Sequence, residues 1–169
     1  MAIRAGCRVV GIDIIDERLA LARTFGAQLV LRADNAEIHK EIDFFTAHQG
    51  VDKTIITAAS ESSELIKQAI IITRKKGRVI IVGDVGLHIN RQPFYTKELD
   101  VVISCSYGPG RYDDSYEHRG IDYPYPYVRW TENRNIQLCV DMIERGELNI
   151  DAVISKDFHV SDVAKAYLK

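Results

Sequence analysis

A doubly wound parallel α/β sheet is the fold class that this sequence predicts, on three observations. Short runs of β-branched apolar residues alternate with stretches of helical period. Those runs are almost uninterrupted, as suits strands covered on both faces rather than one. The intervals between them are long enough for helical crossovers, which return the chain to a parallel neighbour.

The elements follow in order. Residues 2–5 read as the tail of a helix closed by Gly6, and residues 8–14 (RVVGIDI) as the first strand. Asp16 is placed to cap a helix over residues 17–25, which Gly26 stops. A short strand over residues 28–31 precedes a helix over residues 36–48, ended by Gly50. Residues 53–57 (KTIIT) form a third strand. A helix over residues 62–76 carries Leu65, Ile66, Ala69, Ile70 and Thr73 on one face, with a basic last turn before Gly77. Residues 78–82 (RVIIV) are the clearest strand, bounded by Gly77 and Gly83, and residues 99–104 (LDVVIS) a fifth. Residues 107–134 hold six of the eight Tyr and three of the four Pro residues, a composition that excludes continuous helix or strand. A helix over residues 134–144 precedes Gly146. A short strand over residues 152–155 and a final helix over residues 161–168, with Ser161 as cap and Asp162 in its first turn, complete the pattern.

One feature of this fold class is missing. A doubly wound nucleotide fold opens with a strand and a glycine-rich turn ahead of the first strand seen here. Neither is in the sequence, so the expectation is a piece of a longer protein that lacks both.

Composition excludes several functions. The net charge of −2, from 22 basic and 24 acidic residues, gives no electrostatic footprint for nucleic acid or an anionic membrane. No apolar run reaches a membrane span, and the opening MAIRAGCRVVG lacks the apolar stretch of a secretory signal. Cys7, Cys105 and Cys139 are odd in number and widely spaced, which suits a reducing compartment and a cytoplasmic location. With no Cys-x-x-Cys and no His cluster, the chain is not expected to build a zinc site alone.

Asp13 is the most informative residue. A carboxylate at the carboxyl end of a parallel strand can accept hydrogen bonds from both hydroxyls of an adenine ribose. It would also repel a 2′-phosphate: at about 4 Å and an effective dielectric near 20, one like-charge pair costs on the order of 4 kcal/mol. The other reading is a carboxylate at a helix N-terminus, a role that Asp16 shares. Thr57, Ala58 and Ala59 follow the third strand, and Val82, Gly83 and Asp84 follow the fourth. Small residues there let a ligand approach the backbone, although ordinary strand-to-loop chemistry explains them equally.

The string CRVVGIDIIDERLALARTFGA resembles the segment after the glycine loop in zinc-containing, medium-chain alcohol dehydrogenases. The later order, GVDKTIITAAS, a helix, GRVIIVGDVG and a strand, resembles the same Rossmann-like cofactor domain across residues 2–106. YGPGRYDDSYEHRGIDYPYPYVRWTENRN resembles a stretch of bi-domain oxidoreductases that carry such a module. The resemblance implies a cofactor-binding domain over residues 1–106, a Tyr/Arg/Pro-rich loop over residues 107–134, and a helix that begins the return to a catalytic domain over residues 135–169. It implies NAD as cofactor, with Asp13 and Arg18 on the adenine ribose. Thr57, Ala58, Val82, Gly83, Asp84 and Tyr107 would line the nicotinamide side. Asp84 departs from the family's usual apolar residue. The substrate implied is an alcohol or polyol. The zinc of the full-length enzyme would be held by a catalytic domain not in this chain, and the chain alone is expected to be inactive. The resemblance also implies a homodimer through the strand at residues 99–104, and an open, β-branched edge favours pairing independently. A non-catalytic nucleotide-binding or dimerisation module is the rival reading.

The loop over residues 107–134 brings amphipathic rings (Tyr107, Tyr112, Tyr116, Tyr123, Tyr125, Tyr127) and planar cations (Arg111, Arg119, Arg129, Arg134). It could form a pocket for a polar or carbohydrate-like substrate, or a surface loop held by aromatic packing. Of the five His residues, His118 alone lies in this stretch and is a candidate acid/base. Cys105 reads as a small hydrophobe. No catalytic residue is assigned from spacing.

Overall fold

The computed structural model describes residues 1–167. Five strands, β1 (Val10–Asp13), β2 (Leu29–Arg32), β3 (Val51–Ile56), β4 (Thr73–Ile81) and β5 (Asp100–Ile103), are each joined to the next through a helix. The helices between them are α1 (Asp16–Thr24), α2 (Ile38–Phe45), α3 (Glu64–Ile72) and α4 (Arg91–Lys97). Every strand pairing is parallel, as the near-continuous Val/Ile runs require.

The expected single sheet is divided. β1 pairs with β2, with Ile12 opposite Leu31, and β3, β4 and β5 form a separate three-stranded sheet. The physical reason lies in the strand order. Doubly wound sheets run 3-2-1-4-5-6, and β1 and β3 of this chain correspond to the strands on either side of strand 1. Without that strand, β1 and β3 have no common partner among the described residues. Ile12 and Ile55 on these strands remain 38% and 55% exposed.

Two apolar clusters hold the elements together. Ile56, Ile66, Ala69, Ile70, Val79, Ile81 and Val85 are buried between α3 and the three-stranded sheet, with Leu65, Phe94 and Leu99 at their margin. Leu31, Ile38 and Ile42 form the second cluster, on which Val10, Leu29, Val51 and Ile72 pack. Residues from both sheets therefore share one core through α2.

The junction between α3 and β4 differs from the sequence expectation. The helix stops at Ile72, and the basic stretch read as its last turn instead opens β4. Thr73 is fully buried. Its hydroxyl bonds the Ala69 carbonyl at 2.6 Å and the Thr54 hydroxyl at 2.7 Å, which draws the backbone into the sheet. The ladder matches Val51 with Thr73 and then Lys53 with Arg78, so a bulge absorbs residues 74–77. Gly77 fits there because a Cβ would meet Thr73 Cγ2 at 2.5 Å. The cation that closes α3 comes from α4: Lys97 Nζ donates to the carbonyls of Ile70, Ile71 and Thr73 at 2.8, 2.7 and 2.8 Å.

Smaller differences occur at the ends. Residues 2–5 form a hydrogen-bonded turn closed at Gly6 rather than regular helix. Ile15, not Asp16, occupies the N-cap of α1, and Asp16 sits in its first turn. A short helix, α5 (Asp114–Glu117), interrupts the Tyr-rich stretch, and α6 (Glu132–Glu144) follows. The strand expected at residues 152–155 is a 3-10 turn (Asp151–Val153), and Val153 and Ile154 are exposed, with no strand among the described residues to pair them. The last helix divides into a 3-10 turn (Val160–Asp162), capped by His159 rather than Ser161, and α7 (Val163–Tyr167). Leu168 of that expected helix lies outside the described residues. Among the described residues no helix is long and apolar enough to cross a membrane.

Candidate cofactor-binding site

Asp13 ends β1, and its two carboxylate oxygens have different surroundings. Oδ1 accepts the backbone N–H groups of Ile14 at 2.8 Å and Ile15 at 3.0 Å. It thereby performs the turn-closing task that the sequence assigned to Asp16. Oδ2 lies 3.7 Å from Arg18 Nη1, on the first turns of α1. One oxygen is therefore fixed by the backbone, and the other faces an exposed guanidinium. A carboxylate held this way is an oriented acceptor for hydroxyl donors.

A feature that sequence reasoning missed lies beside it at the end of β2. Arg32 is bonded to Asp16 at 2.8 Å and to Asp34 at 2.9 Å. The hydrogen bonds from these carboxylates raise the Arg32 pKa above its usual value, and Arg32 in turn lowers that of Asp34. These three residues line a shallow cavity of about 410 Å³ with Leu19, Arg23 and Val30. The signal was the Arg-Ala-Asp that directly follows the LVL strand.

The loops after β3 and β4 meet backbone to backbone. Val82 and Gly83 both donate N–H to the Ile56 carbonyl at 2.9 Å. A Cβ on Gly83 would lie 2.0 Å from the Ala58 carbonyl oxygen, so only glycine fits. Ser60 N–H donates to the Asp84 carbonyl at 2.8 Å, and Gly86 N–H to Ser60 at 3.0 Å. The fold thus brings Thr57, Ala58, Val82, Gly83 and Asp84 into one exposed rim at the carboxyl ends of β3 and β4. Tyr107, after β5, is 58% exposed, and its carbonyl accepts from Asn135 Nδ2 at 2.9 Å. Asp13 ends β1 of the other sheet and Arg18 lies on α1, and among the described residues they make no hydrogen bond to this rim.

The Tyr-rich segment packs on itself. Tyr123 donates its hydroxyl to Asp113 and stacks on Tyr116 with ring centroids 5.8 Å apart. The Tyr123 hydroxyl holds Asp113 below the usual carboxylate range, and that carboxylate pushes the Tyr123 phenol up. Arg111 bonds Glu117 and holds it low in the same way. Arg134 donates to the Val128 carbonyl, Asp122 and the Tyr123 carbonyl at 2.5, 2.5 and 2.9 Å. Tyr116 accepts the Asn133 N–H at 3.0 Å, and Glu132 N–H reaches the Pro109 carbonyl at 2.8 Å. The segment is anchored to the N-terminal turn of α6. His118 is exposed, with Nε2 3.9 Å from Asp114 Oδ1.

Cys7, Cys105 and Cys139 are free, and Cys105 is exposed rather than buried as a small hydrophobe would be. Among the described residues, no three His, Cys, Asp or Glu side chains converge to hold a metal ion.

Comparison with known proteins places this geometry. The chain is 25% identical over 176 residues to D-guloside 3-dehydrogenase of Escherichia coli K12, and equally to that of Shigella flexneri. All of this chain is covered but only 45% of each relative, so it spans less than half their length. The fold matches a short chain alcohol dehydrogenase from E. coli CFT073, solved with NADH, at a TM-score of 0.68 and 19% identity, over 95% of this chain and 40% of that one. It matches benzyl alcohol dehydrogenase from Acinetobacter calcoaceticus at 0.69 and 16% identity, over 95% and 39%. Residues 1–118 match the family described as zinc-binding dehydrogenase. The chain belongs to the zinc-binding dehydrogenase family, and its parallel α/β architecture is that of the family's cofactor domain.

Proposed function

We propose that this chain is the cofactor-binding part of an NAD-linked oxidoreductase that moves hydride between NAD and an alcohol or polyol. The observation that carries this reading is the divided Asp13 carboxylate: Oδ1 is fixed by two backbone N–H groups, and Oδ2, at the tip of a parallel strand, has only the exposed Arg18 guanidinium 3.7 Å away. Oδ2 accepts the ribose hydroxyls and opposes a 2′-phosphate, which selects NAD over NADP. Arg18 closes over the same sugar. The rim of Thr57, Ala58, Val82, Gly83 and Asp84, with Tyr107 beyond β5, receives the nicotinamide end; the exposed Val82 supplies an apolar wall and Gly83 a close backbone approach. NAD, when bound, supplies the hydride chemistry, and these residues bind and orient it.

The proposal extends to the whole protein. Zinc, which polarises the substrate oxygen in a zinc-type enzyme, is held by residues other than those of this chain, so the isolated chain is inactive. The exposed β5 edge, with Val101, Val102 and Ile103 in solvent, supports a homodimer. It also favours the second reading, a non-catalytic module that binds nucleotide or only dimerises. Three free cysteines support a cytoplasmic location.

The test is NAD reduction with a panel of alcohols and polyols. The isolated chain is expected to give no turnover and the complete enzyme to turn over with NAD. Turnover by the isolated chain would contradict the division of labour. A complete enzyme active only with NADP would contradict the assignment of Asp13.

A further inference from the structure

A guanidinium lies against two aromatic rings at the surface of the Tyr-rich segment. Arg129 Cζ is 4.7 Å from the Tyr125 ring centroid and 4.0 Å from that of Trp130. Tyr125, Tyr127 and Trp130 are 55%, 87% and 44% exposed. Among the described residues Arg129 has no carboxylate partner, whereas Arg134, whose Cζ is 5.2 Å from the same Tyr125 ring centroid, is paired with Asp122. A cluster of large rings left in water around an uncompensated charge costs solubility and marks an interaction surface.

The cluster is also rigid. Pro124 and Pro126 restrict the backbone, and the Pro124 carbonyl accepts N–H groups from Tyr127 at 3.0 Å and Val128 at 3.1 Å. Arg134 ties the Val128 and Tyr123 carbonyls together from below. Little ordering cost remains for a ligand to offset. The bond from Glu132 N–H to the Pro109 carbonyl ties the residue two after Trp130 to the residue two after Tyr107, past the carboxyl end of β5.

We propose that Tyr127, Trp130 and Arg129, the last held over the Tyr125 ring, form a platform for a carboxylate-bearing pyranose, a hexuronate or its glycoside. The C–H face of a pyranose carries partial positive charge and meets the negative face of an aromatic ring. The forked N–H groups of Arg129 match a carboxylate in two parallel hydrogen bonds. A neutral sugar covers the rings and leaves the cation unpaired; a small carboxylate pairs the cation and leaves the rings bare. The platform therefore selects ligands that carry both features. This narrows the alcohol-or-polyol reading above and rests on it for any role in turnover, but binding itself needs no NAD.

Trp130 is the only Trp in the chain, so its emission reports on this surface alone. The full chain is titrated with D-glucuronate, methyl glucoside and acetate at constant ionic strength. Glucuronate is expected to give a saturable change with half-saturation about ten-fold or more below that of methyl glucoside, the worth of one charge-assisted pair. Acetate, which pairs the cation but covers no ring, is expected to half-saturate at least about ten-fold above glucuronate. Arg129→Gln should abolish the preference for the acid, and Tyr127→Ala should weaken both sugars, with circular dichroism unchanged. No saturable response to glucuronate, an equal response to methyl glucoside or to acetate, or a preference that survives Arg129→Gln would each overturn the proposal. NADH binding is followed separately by nucleotide emission. Its absence in the complete enzyme alongside an intact sugar response would overturn the dehydrogenase reading and leave the platform standing.

Discussion

At the residue scale, single atoms decide what two positions tolerate. A Cβ at Gly83 would be placed 2.0 Å from the Ala58 carbonyl, against backbone rather than a flexible side chain. Gly83→Ala is therefore expected to destabilise by about 3 kcal/mol, read as a lower urea midpoint with unchanged slope. At Asp13 the backbone bonds of Oδ1 and the ligand role of Oδ2 are separable. Asp13→Asn retains a side-chain oxygen for the Ile14 and Ile15 N–H groups. It should preserve thermal stability while lowering affinity for NADH by about ten-fold, since a neutral amide is a weaker partner for two hydroxyls than a carboxylate. Asp13 was legible in the sequence because strand ends announce themselves. Its division of labour was not, because Asp13 and Asp16 are equally plausible turn-closing carboxylates until the backbone is placed. Arg32 was passed over for a similar reason: its pair with Asp34 is local, but its pair with Asp16 joins β2 to α1 and appears only in the fold.

At the element scale, Lys97 shows how packing overrides local signals. The basic residues 74–76 look like a helix end, but the buried Thr73 hydroxyl starts the strand there, and a lysine from α4 closes α3 instead. Lys97→Met would leave three carbonyls without that donor and is expected to destabilise by about 2 kcal/mol in a denaturant titration. In the Tyr-rich segment, Asp113 and Glu117 have their pKa lowered by Tyr123 and Arg111. A carboxyl whose folded pKa is lowered contributes stability above its unfolded pKa and loses it as pH falls through the folded one. The Trp130 emission should therefore be constant above about pH 5 and change only in acid, below the ordinary carboxylate range near 4. Glu117→Gln should reduce the pH dependence of that change. This segment was legible only as composition. Its folding depends on contacts such as Asp113–Tyr123 and Arg134–Val128 that no periodicity encodes.

At the scale of the whole molecule, the direction of every strand was legible, and the division into two sheets was not. Periodicity reports the burial of each strand but says nothing about a neighbour that the chain does not contain. The exposed β5 edge makes a prediction at this scale. Val102→Lys should convert a dimer to a monomer in sedimentation at micromolar concentration without changing circular dichroism; a wild-type monomer under the same conditions would remove the edge-pairing proposal. The central claim is that a carboxylate at the tip of β1 selects the nucleotide. It is tested most directly by titrating the complete enzyme with NADH and NADPH and following nucleotide fluorescence, with Asp13→Asn alongside. The account predicts that NADH binds more tightly by at least about a hundred-fold, from the like-charge penalty against the 2′-phosphate, and that the variant loses most of that margin. Equal affinities in the wild type, or a margin that survives in the variant, would contradict it.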